Sequence, residues 1–179
     1  MMKGNTRKLT TIGMLCALAY GAAAVGRVPL VLFLKYDPKD SVIAISGLLF
    51  GPLASFWMAG VVSLIEMFTL SETGILGFFM NVISSCSFAC TTALVHQKKR
   101  GFCGAAAGLL CGWGCMVSAM MLWNWLLTPL YMGVPREEVV KLLLPAFLPF
   151  NFIKGGLNAA ITILLYKPAL SALGRAAQN

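Results

Sequence analysis

Lys154 is the residue whose type and place most demand an explanation. It falls well inside the apolar segment Ala146–Tyr166, where a lysine costs about 2.5–3.5 kcal/mol on insertion scales and normally faces a polar cavity or a partner. Asn151, Lys154 and Asn158 are spaced i, i+3, i+7, which puts three hydrogen-bonding side chains on one helix face. A polar stripe on an otherwise apolar helix reads as the lining of a pocket. The alternative is that Lys154 snorkels to the outer interface while the asparagines stitch helices together. A second cluster, Trp123-Asn124-Trp125 with Thr128 and Tyr131, closes the preceding apolar segment. Its aromatics fit interfacial anchoring as well as a site, whereas Asn124 is an amide in hydrocarbon and needs partners. Asn81 and Glu66 also lie within apolar segments, and each fits a cavity lining or a structural role equally well.

Other chemistry is poorly provided for. His96 stands alone as a histidine, so no nucleophile–base triad can be assembled, and HExxH and GxxxxGK[ST] have no match. Six cysteines, Cys16, Cys86, Cys90, Cys103, Cys111 and Cys115, lie in or beside apolar segments. Cys86/Cys90 and Cys111/Cys115 have i, i+4 spacing, but without a convincing ligand set they read as small buried thiols. Neither catalytic residues nor a metal site are expected, and any ATP chemistry must come from another chain.

The elements that position these residues are membrane helices. Of 179 residues, 59% are apolar and 11% charged, with a mean hydropathy of +0.82, against roughly a quarter charged in a soluble domain. That excludes a water-soluble globule, and the long unbroken apolar runs exclude an alternating membrane β-barrel. The net charge of +8 is dispersed in short islands between those runs, which argues against a nucleic-acid footprint. Apolar segments run over Leu9–Val25, Ser41–Leu70, Gly74–Val95, Phe102–Thr128 and Ala146–Tyr166, with a charged amphipathic stretch at Pro135–Leu144. Gly51-Pro52 divides the second segment into a short and a longer helix. Six spans in one all-α bundle, residues 1–179, then put both termini in the cytoplasm. That side would carry Lys3, Arg7, Lys8, Lys98, Lys99, Arg100, Lys167 and Arg175 with no acid, as the positive-inside rule requires. An undivided second segment would put Lys98–Arg100 outside. On the first helix Gly13, Ala17 and Gly21 recur every four residues, a groove for close helix approach either within the bundle or to another protein.

These features together resemble the substrate-binding (S) components of energy-coupling factor (ECF) vitamin transporters, in particular the riboflavin-specific type. The resemblance covers nearly the whole chain. It rests on the small-residue motif at Gly13 and Ala17, on Lys35-Tyr36-Asp37-Pro38-Lys39-Asp40 leading to Gly51-Pro52, on Gly74–Ser84, and on Asn151-Phe152-Ile153-Lys154 in the last helix. Val42 stands where a proline often follows the second aspartate, and Glu66 where relatives can carry a basic residue. The resemblance implies a multi-pass protein of the bacterial plasma membrane that captures a vitamin outside. It would deliver the vitamin inward with a coupling transmembrane protein and two ATPase subunits. The vitamin is cargo, and no cofactor is expected. Asn151 and Lys154 map onto the family's flavin site, and Gly13 and Ala17 onto the motif that docks on the coupling protein.

Riboflavin has a flat apolar tricycle with one edge of carbonyls and an N–H, and a polyhydroxyl tail. Its site needs amides and a cation for the edge, apolar walls for the faces and polar groups for the tail. Asn151, Lys154 and Asn124 suit the first role; Trp123, Tyr131 and Phe150 the second; Asp37, Asp40 or Glu66 the third, with Asn81 a further candidate for the cavity lining. Another vitamin, such as pantothenate or a pyridoxine-like compound, is the nearest rival reading. An intramembrane enzyme or a structural membrane subunit stands further off.

Overall fold

Gly51 and Pro52 divide the long apolar segment as their chemistry dictates. Gly51 sits at φ 95°, a left-handed conformation that glycine adopts without a Cβ penalty, and its N–H closes the preceding helix on the Gly47 carbonyl at 2.9 Å. Pro52 then opens the next helix at a position where no backbone donor is needed. The computed structural model describes residues 2–31, 34–70, 74–133 and 135–177. Its helices are α1 (Met2–Gly26), α2 (Lys39–Phe50), α3 (Pro52–Thr69), α4 (Gly74–Lys98), α5 (Phe102–Met132), α6 (Arg136–Leu142) and α7 (Leu148–Ala177). A π-helical turn, Leu143–Phe147, joins α6 to α7. It contains Pro145, which has no N–H for a regular helical bond.

The bundle is all-helical, with one short hairpin added to it. After α1 the chain forms an antiparallel hairpin of β1 (Val28–Val31) and β2 (Leu34–Tyr36), with Val28 opposite Tyr36 and Pro29 opposite Lys35. The β-branched residues of that stretch favour extended backbone, and Pro29 is tolerated because a two-stranded ribbon consists only of edges.

Among the described residues, five helices are long and apolar enough to cross a membrane: Thr6–Gly26, Pro52–Thr69, Gly74–Lys98, Phe102–Leu130 and Arg136–Leu173. The remaining long-segment piece, α2, has twelve residues, about 18 Å of helix, against a hydrocarbon core of about 30 Å. It is buried along nearly its whole length and is packed on by α1, α3, α4 and α7. Its apolar body belongs in the core, and its charged first turn is paired there, Lys39 with Glu66 and Asp40 with Lys154.

Contacts at the two ends fix the direction of each helix. Arg27, just past α1, donates to the Leu70 carbonyl at the end of α3 at 2.9 Å, and Lys39, first in α2, pairs with Glu66 near the end of α3. So α2 runs opposite to α1 and α3. At the other end the Gly51 turn lies against Gln97, the His96 ring meets Tyr166 edge-on, and Lys167 sits over Phe102. The islands Lys98–Arg100 and Lys167 therefore share one end of the bundle, and the hairpin and Glu66 share the other.

Packing depends on small residues. A Cβ on Gly108 would stand 2.6 Å from the Thr92 carbonyl oxygen, and one on Gly112 would strike the Phe88 carbonyl and the Thr92 hydroxyl. With four-residue spacing these glycines bring α5 backbone-close to α4. The main core of Ala19, Ile43, Met58, Val62, Phe88 and Met116 is centred on α2 to α5. A smaller cluster of Val139, Phe147 and Phe150 seats the start of α7.

Candidate ligand site at the hairpin end of the bundle

The polar stripe of α7 points inward. Lys154 is 6% exposed, and Asn151 and Asn158 1% each. Lys154 Nζ lies 3.1 Å from Asp40 Oδ2 at the start of α2 and donates to Ser84 Oγ of α4 at 3.3 Å. Ser85 Oγ in turn donates to Asp40 Oδ1. The lysine is thus held by a carboxylate inside the bundle and does not snorkel. Asn151 Nδ2 donates to the Phe147 carbonyl at 2.8 Å, so its principal offer to a ligand is the acceptor Oδ1. Asn158 Oδ1 accepts from Ser41 Oγ at 2.7 Å and from Tyr36 OH at 3.5 Å.

A second group of charges adjoins the first. Glu66 Oε2 receives Lys39 Nζ, Asn81 Nδ2 at 3.2 Å, and Arg27 Nη2 at 3.6 Å. Asp37 Oδ2 lies 4.0 Å from Arg27 and 3.9 Å from Lys39. Burial pushes the Asp37 carboxyl up, but Lys39, Lys154 and Arg27 outweigh it and hold Asp37 below the ordinary carboxylate range. Arg27, Lys39 and Lys154 against Asp37, Asp40 and Glu66 make a set of six charges with no net charge. Such burial is tolerable because every ion has an opposite neighbour.

Arg27 Nε, Asp37 Oδ1, Glu66 Oε1 and Asn158 Nδ2 at this end of the bundle, and Asn124 Nδ2 on α5, are buried and have no hydrogen-bond partner among the described residues. Unpaired buried polar atoms are costly, and two acceptors, two amide donors and a guanidinium N–H are what a polyfunctional neutral ligand would satisfy. Asn124 Oδ1 is taken by Thr128 Oγ1 at 3.1 Å. Trp123 packs at the margin of the main core, and Phe150 lies in the smaller cluster beside Met80 and Met121. Tyr131 falls in the last turn of α5, and its side chain lies outside the described residues.

The structure thus brings Lys154, Asp37, Asp40, Glu66 and Asn81 into one network, while Asn151, on the same stripe of α7, bonds the Phe147 carbonyl and makes no hydrogen bond to these charges among the described residues. Arg27, Lys39, Ser41, Ser84 and Ser85 join the network without having been singled out in the sequence. The signal for the serines was two adjacent hydroxyls in mid-segment. For Lys39 it was a lysine immediately ahead of an apolar run. Among the described residues no three His, Cys, Asp or Glu are grouped to hold a metal ion; the six cysteines are free thiols, but not buried ones, since Cys16, Cys86 and Cys90 are half-buried and Cys103, Cys111 and Cys115 lie on the outer faces of the bundle.

Gly13 and Ala17 lie elsewhere. Both are exposed, on the side of α1 that also carries Met14 and Leu18, while Leu15, Ala19 and Ala23 face the core. A Cβ on Gly13 or Gly21 would meet nothing within 4 Å.

The Lys154–Asp40 pair has a measurable consequence. Lys154→Met strands a buried carboxylate and should cost about 3–5 kcal/mol, whereas adding Asp40→Asn removes the uncompensated charge and should recover much of that loss. Thermal melts of the detergent-solubilised single and double variants check it; equal melting temperatures for the two would mean the pair is not coupled.

The sequence matches the profile of the family "ECF transporter, substrate-specific component" over residues 7–166. It is 26% identical over 181 residues to the riboflavin transporter RibU of Staphylococcus aureus (strain TCH60), covering 96% of this chain and 94% of that protein. To the riboflavin transporter FmnP of Bacillus subtilis (strain 168) it is 26% identical over 173 residues, covering 90% and 91%. A solved structure of the S component of a bacterial ECF transporter superposes with a TM-score of 0.80 at 27% identity, covering 94% of this chain and 98% of that one. Bacterial relatives and several apolar helices mark a multi-pass protein of the cell membrane, and a transporter component rather than an enzyme. With the match running from the first span to the last, the chain belongs to the ECF transporter substrate-specific component family.

Proposed function

We propose that this chain is the riboflavin-binding subunit of an ECF transporter, capturing the vitamin outside the cell and passing it inward with a coupling membrane protein and two ATPase subunits. The observation that carries the reading is the α7 stripe set beside a charge-balanced cluster. Lys154 is already neutralised by Asp40, so the pocket suits a neutral ligand with a carbonyl edge better than an anionic vitamin such as pantothenate. The two relatives named as riboflavin transporters support the same cargo.

Roles follow from what each group has left to offer. An ammonium carries three N–H donors; Asp40 and Ser84 take two from Lys154, and the third serves a flavin carbonyl. Asn151 Oδ1 accepts the ring N–H, and Asn124 Nδ2 supplies a further donor. Trp123, Phe150 and Tyr131 wall the ring. Asp37 Oδ1 and Glu66 Oε1 accept from tail hydroxyls, with Asn81 orienting Glu66. Asp40 contributes by holding Lys154. A charged donor to a buried carbonyl is worth about 1.5–3 kcal/mol. In an Asp40→Asn background, Lys154→Met should therefore weaken riboflavin binding about 10- to 150-fold with little salt dependence. Unchanged affinity in a titration would remove Lys154 from the site.

The exposed face of Gly13, Ala17 and Gly21 is the surface for the coupling subunit, since small residues let a partner helix approach closely. Gly13→Leu or Ala17→Leu should leave riboflavin binding by the isolated protein intact while abolishing uptake in cells. Loss of binding by the isolated variant would assign these residues to the bundle interior instead.

Six passes with both termini in the cytoplasm complete the reading. The return path through α2, from the hairpin end to the turn beside Gln97, supports it, as does the gathering of Lys98–Arg100 and Lys167 at one end. A lone cysteine at position 99, in a background lacking the native six, should label only from the cytoplasm; labelling from outside would overturn the topology.

A further inference from the structure

Asn158 is buried and conspicuously unfinished. Its Oδ1 is engaged by Ser41 and Tyr36, its backbone carbonyl accepts from Thr162 Oγ1 at 2.6 Å, and its Nδ2 has no partner among the described residues. It lies one turn along α7 from Lys154. The two side chains are held by consecutive residues of α2, Lys154 by Asp40 and Asn158 by Ser41. An unpaired amide N–H inside the bundle, beside the residues that grip the flavin edge, is a donor awaiting an acceptor.

The order of groups on the helix says which acceptor. Along α7 the stripe offers an acceptor at Asn151, a donor at Lys154 and a donor at Asn158. Read outward from the imide N–H, an oxidised flavin offers N3–H, the C4 carbonyl and N5 in one direction, and N3–H, the C2 carbonyl and N1 in the other. Both sequences run donor, acceptor, acceptor. We infer that Asn158 Nδ2 donates to an unprotonated ring nitrogen of the bound flavin, N5 or N1, as the third member of the α7 readout. The inference rests on riboflavin being the cargo. It makes Asn158 a specificity residue that requires a ring nitrogen able to accept, rather than the flat ring shape alone.

Flavin analogues test this without disturbing the protein. In 5-deazariboflavin a C–H replaces N5, and in 1-deazariboflavin a C–H replaces N1; either change would leave the Asn158 donor buried and unmatched. Wild-type protein should bind one of the two about 5- to 100-fold more weakly than riboflavin, and which analogue is weakened identifies the nitrogen. In Asn158→Ala, which lacks the donor, riboflavin and that analogue should bind alike. Asn158→Ser, which keeps a hydroxyl toward Ser41 and Tyr36, serves if the alanine variant does not fold. Equal wild-type affinity for riboflavin and both analogues overturns the role of Asn158 and leaves the riboflavin reading standing. So does an analogue penalty that persists in the variants. Wild-type protein that binds none of the three flavins overturns the riboflavin reading itself.

Discussion

The ion pair between Lys154 and Asp40 is the constraint on which the rest of this structure depends. A lone ammonium in an apolar bundle is costly to insert, and a lone carboxylate no less so. Bringing the two to 3.1 Å forces the start of α2 against the second turn of α7, and Ser84 and Ser85 draw α4 into the same knot. The second set, Glu66 with Lys39, Arg27 and Asn81, then ties the end of α3 to the end of α1 and again to α4. Removing Lys154 or Asp40 strands its partner, and the two sets together constrain α1, α2, α3, α4 and α7 at this end. The network also cancels its own charge, which keeps a lysine donor available in the pocket without favouring anions.

Two small-residue stripes divide the labour of packing. Gly108 and Gly112 are buried in the α4–α5 contact, where any side chain would meet backbone. Gly13 and Ala17 have the same four-residue spacing but face away from the core. In a membrane, helix association depends on packing rather than on expulsion of water, so an unused small-residue face suits close approach by a partner helix better than an exposed leucine does, which is the ground for proposing it as the docking surface. The site and this face occupy different parts of the molecule, consistent with a subunit that binds cargo by itself and needs a partner to move it.

Much of this was legible in the sequence, because membrane helices announce themselves by apolar length and their ends by charge. Gly51-Pro52 marked the α2–α3 division, and the Asn151–Lys154–Asn158 spacing identified the inward face of α7. The β1–β2 hairpin was not visible, since Val28–Val31 continues the apolar character of α1 and a two-stranded ribbon needs only a few residues. Nor were the pairings. Lys39 and Glu66 are 27 residues apart, Asp40 and Ser85 45, and Ser84 and Lys154 70, and no periodicity links positions on different helices. Spacing also could not distinguish the α1 stripe from the α5 stripe, because the same pattern serves a buried contact and an exposed one. Asn158 was visible as a stripe member, but its unpaired amide emerges only once Ser41 and Tyr36 are seen to occupy its oxygen.

Whether the network at the hairpin end holds a neutral flavin is tested most directly by the visible absorption spectrum of the chain purified alone in detergent. The account predicts a flavin band that travels with the protein through size-exclusion chromatography, or appears stoichiometrically when riboflavin is added before the column. A colourless protein that still elutes without flavin after incubation with the vitamin, while remaining folded by circular dichroism, would contradict it.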